Sequence, residues 1–177
     1  MTEMRTRENV MMFVDVRNVL GAIGDDLQYC QVDFNSLINN LAAGRRLVRP
    51  YVYDGFSDNE RFESLHAYLR NCGCTIRISN LHDHEDGRQK GVDVDLATDM
   101  VRFACMGSYD VAILVSGDCD FVPAVEKVKE LGKRVEVACF GNTISNRLRC
   151  SADRYHNLDS VPLLKIRNPG DSEEVLE

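Results

Sequence analysis

The sequence has no run approaching the ~18 consecutive apolar residues of a membrane span. Its opening, MTEMRTRENV, carries charges where a secretory signal would carry an apolar stretch. A soluble, cytoplasmic chain is the expectation. CxxC pairs are also missing. The seven cysteines, at 30, 72, 74, 105, 119, 139 and 150, are an odd number and several sit inside apolar runs. That pattern speaks against a disulfide framework and a zinc ribbon and leaves reduced thiols. Neither an internal repeat nor a low-complexity tract occurs. An excess of bases is absent too: the net charge is −7, which at first sight disfavours a nucleic-acid partner. The distribution weakens that objection. Asp171, Glu173, Glu174 and Glu177 form an acidic end with no base from residue 170 on, so the rest of the chain carries −3. Setting aside the six aspartates at 15, 93, 95, 99, 118 and 120 as well leaves +3. A body that is acidic mainly where its acids cluster can bind a polyanion through a metal.

What the chain does have is 177 residues, 44% of them hydrophobic and 28% charged, enough to bury one substantial core. Short apolar runs alternate with longer amphipathic segments, the pattern of a parallel sheet with crossover helices. VMMFVD (10–15) reads as a buried strand. Asp33 is placed to cap a helix over FNSLINNLAAG that stops at Gly44. LVRPYVYD (47–54) is a second strand, with Pro50 marking an edge or a bulge. NERFESLHAYLRNCG (59–73) reads as a helix, TIRIS (75–79) as a half-exposed strand, and the polar stretch 80–91 as a long loop. VDVDLATDMVRFACMG reads as a helix ending at Gly107, VAILV as a strand, VPAVEKVKELG as a helix and RVEVACF as a strand. A last helix is predicted over ISNRLRCSADRY, a terminal strand over 161–166, and disorder from Asn168 onward.

The acids gather at one end of this pattern. In an open parallel sheet, ligands bind beyond the carboxyl ends of the strands, where strand order reverses. Asp15 closes the first strand, and Asp118 follows the VAILV strand by three residues. These are the two most continuously apolar strands, hence the central ones, so their aspartates should meet. In GDCD, either Asp118 or Asp120 could be a helix cap, but capping needs only one of them. Asp93, Asp95 and Asp99 begin the helix that precedes VAILV. Three acids in seven residues also suit a solvated helix face, yet that helix starts at the same end of the sheet as Asp15 and Asp118. Converging carboxylates without basic partners repel one another unless a cation sits among them. Oxygen ligation suits Mg²⁺ or Mn²⁺ rather than zinc, and such ions assist phosphodiester hydrolysis.

FVDVRN (13–18), KGVDVDLATDMV (90–101) and LVSGDCDFVPAV (114–125), in this order, resemble the NYN domain, in particular its LabA-like branch, within the PIN-like nuclease superfamily. The resemblance runs from residue 10 to about 160 and implies an NYN domain over 1–160 with a C-terminal extension over 161–177. It implies a three-layer Rossmann-like α/β fold, strand order 3-2-1-4-5, with helices on both faces. It further implies a Mg²⁺ or Mn²⁺ site cutting RNA, with Asp15, Asp93 and Asp118 as the acidic core and Asp120 adjoining. Asn18 matches the asparagine of the first motif, where it would orient a water or a phosphate oxygen, and Asp99 matches a recurrent acid of the second. Asp95 has no counterpart to rely on.

Arg17, Asn18, Lys90 and Ser116 are the remaining substrate-binding candidates. The tract LHDHED, with His82 and His84, looks like a ligand set but, without second-site partners, reads as a polar loop. Cys119 lies between two site acids, where a structural thiol is the plainer reading. Arg61, Arg88 and Arg102 could line an RNA groove, though each alone is more often a solvated arginine, and Tyr51 and Tyr53 suit packing. Two functions compete: a ribonuclease preferring single-stranded RNA, and a regulatory protein binding RNA or a protein partner on the same fold with little turnover. A homodimer is left open. The DVR that follows the first strand disfavours a haloacid-dehalogenase phosphatase, which wants DxD there.

Overall fold

The computed structural model describes residues 7–23, 30–56, 60–79, 91–160 and 163–165. The chain begins with β1 (Asn9–Asp15), six of whose seven residues are buried. Such an unbroken apolar strand, with no in-out alternation, needs both of its faces covered. Both are. Helices α1 (Val16–Ile23), α2 (Phe34–Ala42) and α3 (Glu60–Asn71) cover one side of the sheet. Helices α4 (Val92–Cys105), α5 (Val122–Glu130) and α6 (Asn146–Ser151) cover the other.

The six-stranded sheet takes β1, β3 (Arg46–Gly55), β4 (Thr75–Ser79), β5 (Val111–Val115), β6 (Arg134–Cys139) and β7 (Arg154–Asn157) in the order β4-β3-β1-β5-β6-β7, every pair parallel. Counted along the main sheet alone this is 3-2-1-4-5-6, the doubly wound PIN-like arrangement with one strand added at the far edge. A separate antiparallel pair joins β2 (Cys30–Val32) to β8 (Leu163–Lys165), so the terminal strand expected over 161–166 exists but lies outside the main sheet.

Side-chain alternation divides the core into two slabs. Met12, Val14, Val52, Ile113 and Val115 meet Val19, Leu37, Leu65 and Leu69 on the first face. Phe13, Tyr53, Leu114 and Val137 meet Leu96, Met100, Phe103 and Val125 on the second. Phe13 anchors the second slab among aromatic rings, 5.8 Å from Tyr109 and 6.4 Å from Tyr51 between centroids. Each large apolar side chain buried this way contributes ~1.5–3 kcal/mol.

Local chemistry sets the boundaries. Asp33 caps α2 through Ser36 N–H (3.0 Å), as expected. Its exit into the left-handed region begins one residue early, at Ala43 (φ 48), before Gly44 (φ 72). Pro50 satisfies both of its sequence readings. A register shift falls just before it, and β4 first pairs at Tyr51, so Pro50 lies beyond the end of its outer neighbour. The last predicted helix needs correction. Only 146–151 is helical, because Ala152 turns to extended backbone (ψ 150) and Asp153 accepts Val135 N–H (2.8 Å), steering Arg154–Asn157 alongside β6. The predicted loop 80–91 and the tail beyond Asn168 lie outside the described residues, apart from Gly91.

Candidate active site

The parallel register of β1 and β5 sets Val14 against Val115. Asp15 therefore leaves one strand where Ser116 leaves its neighbour, at the point where the sheet changes winding direction. Four hydrogen bonds order the two strand ends, two of them local and two running between the ends. Asn18 N–H donates to Asp15 Oδ1 (3.1 Å), and the Ser116 hydroxyl donates to Asp15 Oδ2 (3.1 Å). Ser116 Oγ in turn accepts Asp118 N–H (3.3 Å), and Asn18 Oδ1 accepts Gly117 N–H (2.9 Å). Gly117 has no room for a side chain: a Cβ there would lie 2.3 Å from the Thr143 carbonyl oxygen. The loop after β6 thus closes on the site, with Ser145 N–H bonded to the Gly117 carbonyl (3.0 Å).

Asp118 is half-buried, and its Oδ1 accepts Asp120 N–H (2.9 Å), capping the short 3-10 turn Cys119–Phe121 that leads into α5. Asp118 is thus a cap. That role occupies one oxygen and leaves Asp120 unexplained, since Asp120 is exposed and receives only the Cys119 thiol at 3.8 Å. Ligand atoms of Asp118, Cys119 and Asp120 lie within 4.8 Å of one another. Across from them Asp93 occupies the first turn of α4, whose N-cap is Gly91 (φ 109), and Asp93 makes no capping bond.

The electrostatics show the cost of this arrangement. Asp15 is 6% exposed, and burial pushes its carboxyl up to about 6. The charges of Asp93 and Asp118 add to the rise, while the bonds from Asn18 and Ser116 oppose it. Asp93, though largely exposed, is raised as well, first by partial desolvation of its carboxyl and then by the charges of Asp118 and Asp120. None of these four acids forms an ion pair with another described residue. Uncompensated carboxylates at the mouth of an α/β sheet are the donor set that a hard divalent cation accepts, and Asp15 retains lone pairs beyond the two bonds it receives.

The other sequence candidates fall elsewhere. Ser116 is fully buried, so it lies beneath the site, supporting Asp15 and Asp118. Asp99 points to the seam between α4 and the sheet: it accepts the Tyr53 hydroxyl (2.9 Å) and pairs with Arg102 (2.9 Å) and, more loosely, with Arg77 (3.7 Å). Asp95 is exposed, and Tyr51 and Tyr53 are core residues. Lys90, Arg88, His82 and His84 lie outside the described residues. Arg17 is held by its Nε on Asp54 Oδ1 (2.5 Å), with its guanidinium 3.7 Å from the centroid of the Phe62 ring. Asp54 is a residue the sequence reading passed over. It is the penultimate residue of β3, the strand next to β1, is fully buried, and also bonds His66 Nε2 (2.8 Å) and Gly55 N–H (2.8 Å). An acid closing a strand at the same end as Asp15 was the available signal.

The fold has a solved counterpart. A crystal structure of a protein of unknown function from Vibrio parahaemolyticus superimposes with a TM-score of 0.81 at 26% identity, covering 92% of this chain and 100% of that one. Among characterised sequences, the low amplitude and bright protein LabA of Synechococcus elongatus is 29% identical over 122 residues. That alignment covers 65% of this chain and 64% of LabA, so about a third of LabA's length lies outside it. The model of the NYN domain matches residues 9–159, and the chain belongs to that family, a group of PIN-like domains with nuclease-type or RNA-related roles.

Proposed function

We propose that the chain is a metal-dependent endoribonuclease that hydrolyses phosphodiester bonds of single-stranded RNA at the carboxyl end of β1 and β5. The observation that carries this reading is a group of carboxylates without basic partners at one end of the sheet: the charges of Asp93 and Asp118 act on Asp15, and those of Asp118 and Asp120 act on Asp93, raising both pKa values. A binding module gains nothing from such repulsion, whereas a cation site requires it. Asp15, Asp93 and Asp118 would hold Mg²⁺ or Mn²⁺, with Asp120 at its rim. When bound, the cation supplies charge neutralisation on the phosphate and a water that ionises more readily.

The chain's own residues do the positioning. Ser116 and the Asn18 N–H fix both oxygens of Asp15, so its carboxylate keeps one orientation. The Asn18 side chain spends its oxygen on Gly117 N–H, which leaves its NH₂ end to donate to a phosphate oxygen or the attacking water. Glycine at 117 lets the Thr143 backbone of the loop after β6 approach the end of β5.

The test is incubation of the purified protein with mixed RNA substrates in Mn²⁺, Mg²⁺ and EDTA, beside Asp118→Asn. Asparagine caps a turn nearly as well as aspartate, so the variant should fold while losing activity by orders of magnitude. Equal metal-dependent rates would refute the assignment. Binding of RNA by both proteins with cleavage by neither would favour a regulatory RNA-binding role on the same fold.

A further inference from the structure

A second feature at the same end of the sheet has no part in the acidic centre. Beyond the ends of β3 and β4, under α3, lies a cavity of about 320 Å³ lined by Phe56, Glu63, His66, Arg70 and Ile78. Its size is at the lower end of the ~300–1,000 Å³ typical of small-molecule sites. Glu63, His66 and Arg70 recur at helical spacing and present one face of α3 to it, while Phe56 (42% exposed) and Ile78 (40% exposed) form its apolar side. We propose that this cavity receives one unpaired base of the RNA strand whose backbone lies at the acidic centre. The proposal rests on the ribonuclease reading above and adds a specificity subsite to it.

Three observations favour a base over other occupants. The first is lining chemistry. A base presents two flat apolar faces and an edge carrying both donors and acceptors. The cavity offers an aromatic ring and an isoleucine for the faces, with a guanidinium, a carboxylate and an imidazole for the edge. A bare phosphate has acceptors only, and Glu63 would repel it.

The second is position. Asp15 pairs with Tyr53, and Asp54 pairs with Ile78, so Phe56 and Ile78 lie one and two strands away from Asp15 and slightly further out. With ~3.3 Å per residue and ~4.8 Å between strands, the cavity is on the order of 10 Å from Asp15 in the plane of the sheet. Asp15 projects with Phe13 and Tyr53 towards the α4 face while Asp54 and Ile78 face α3, so an RNA strand reaches from one to the other over the end of the sheet, too far for the reacting phosphate itself and within reach of a nearby nucleotide.

The third is a physical connection. His66 lines the cavity and bonds the fully buried Asp54 through Nε2. Asp54 also holds Arg17, one residue before Asn18 in the first turn of α1. The same carboxylate therefore anchors the cavity floor and the turn that carries Asp15 and Asn18. A base seated on His66 would be registered rigidly against the cleavage centre.

Binding is measured first in EDTA, where no turnover occurs, using fluorescent single-stranded decamers of A, C, G and U and one abasic decamer. Wild type, Arg70→Gln and Phe56→Ala are compared. Both substitutions lie on exposed side chains, and thermal melts verify their folding. Wild type should prefer one base composition, bind the abasic strand at least tenfold more weakly, and lose about tenfold in affinity with either substitution. A 4-thiouridine decamer cross-linked to the wild type, without any substitution, should label Phe56 or the α3 peptide. In Mn²⁺, the variants should shift the positions at which a mixed-sequence RNA is cut. Failure of cleavage in wild type with these binding differences intact would remove the ribonuclease reading and leave the base subsite standing. Unchanged affinity in both variants, full binding of the abasic strand, or cross-links confined to other elements would overturn the subsite.

Discussion

Replacing Asp15 by Asn should stabilise the protein when metal is absent, which is the reverse of the usual outcome for a buried site residue. The carboxyl of Asp15 is raised from 3.8 to about 6, chiefly by burial. A folded-state pKa above the unfolded one means that the folded state holds its proton longer. Stability is then greatest below about pH 4 and declines as pH rises from 3.8 through about 6. The full loss corresponds to ~3 kcal/mol above pH 7, at 1.36 kcal/mol per pH unit. Asparagine carries no charge and escapes this cost, but its single side-chain oxygen cannot serve both the Asn18 N–H and the Ser116 hydroxyl. One lost hydrogen bond returns ~1 kcal/mol. The net expectation at pH 8 in EDTA is a gain of ~2 kcal/mol, or ~4–8 °C in Tm for a chain of this size. Melts from pH 4 to 8 supply the assay: the wild-type curve should fall relative to that of Asp15→Asn between pH 4 and 6.5 and run parallel above. With millimolar Mn²⁺ at pH 8 the wild type should rise and the variant should not. A variant less stable than wild type at pH 8 in EDTA, or a difference independent of pH, would refute the reasoning.

Glu136 offers the opposite sign: buried within β6, which alone would raise its pKa, it is held down to about 2 by His156 (2.8 Å) and Arg45 (2.7 and 3.0 Å). Its contribution should be present above pH 4.5 and lost as pH falls towards 2, and Glu136→Ala, which leaves the Arg45 charge with only the Leu41 and Ala42 carbonyls, should cost about 3 kcal/mol in urea unfolding at pH 7. Gly117→Ala must displace the Thr143 backbone, so ~1–3 kcal/mol of stability should go along with most metal-dependent activity; wild-type melting and turnover would contradict the close approach. Tyr53→Phe removes the bond to Asp99 while Arg102 still pairs with that carboxylate, so ~1 kcal/mol should be lost in thermal unfolding with metal affinity unchanged; a loss of Mn²⁺ affinity would instead tie Asp99 to the site.

The elements that were legible in the sequence are those whose pattern follows from burial on both faces. VMMFVD and VAILV read as central strands, and two central neighbours ending in DVRN and SGDCD place Asp15 and Asp118 at adjacent strand ends. Edge elements carry no such signal. Arg154–Asn157 is half-exposed and polar, and it becomes a strand because Asp153 and His156 bond to β6, a tertiary cause invisible in the local sequence. Asp54 was missed because an acid at the end of a strand looks the same in the local sequence whether it is solvated or buried. Its burial depends on Arg17 and His66, 37 residues upstream and 12 downstream. Ser116 was legible as a site residue but not as a buried support, since a serine after an apolar strand suits either place.

The measurement that bears most directly on the acidic centre is the anomalous scattering of manganese in crystals soaked with Mn²⁺, for the wild type and for Asp93→Asn. The exposed Asp93 has no capping bond to lose, so the variant isolates its charge. A manganese peak bounded by the carboxylates of Asp15, Asp93 and Asp118 in the wild type, absent or much weaker in Asp93→Asn at the same Mn²⁺ concentration, is the expected result. A wild-type crystal with no peak among these carboxylates, or a peak of equal strength in the variant, would contradict a shared cation.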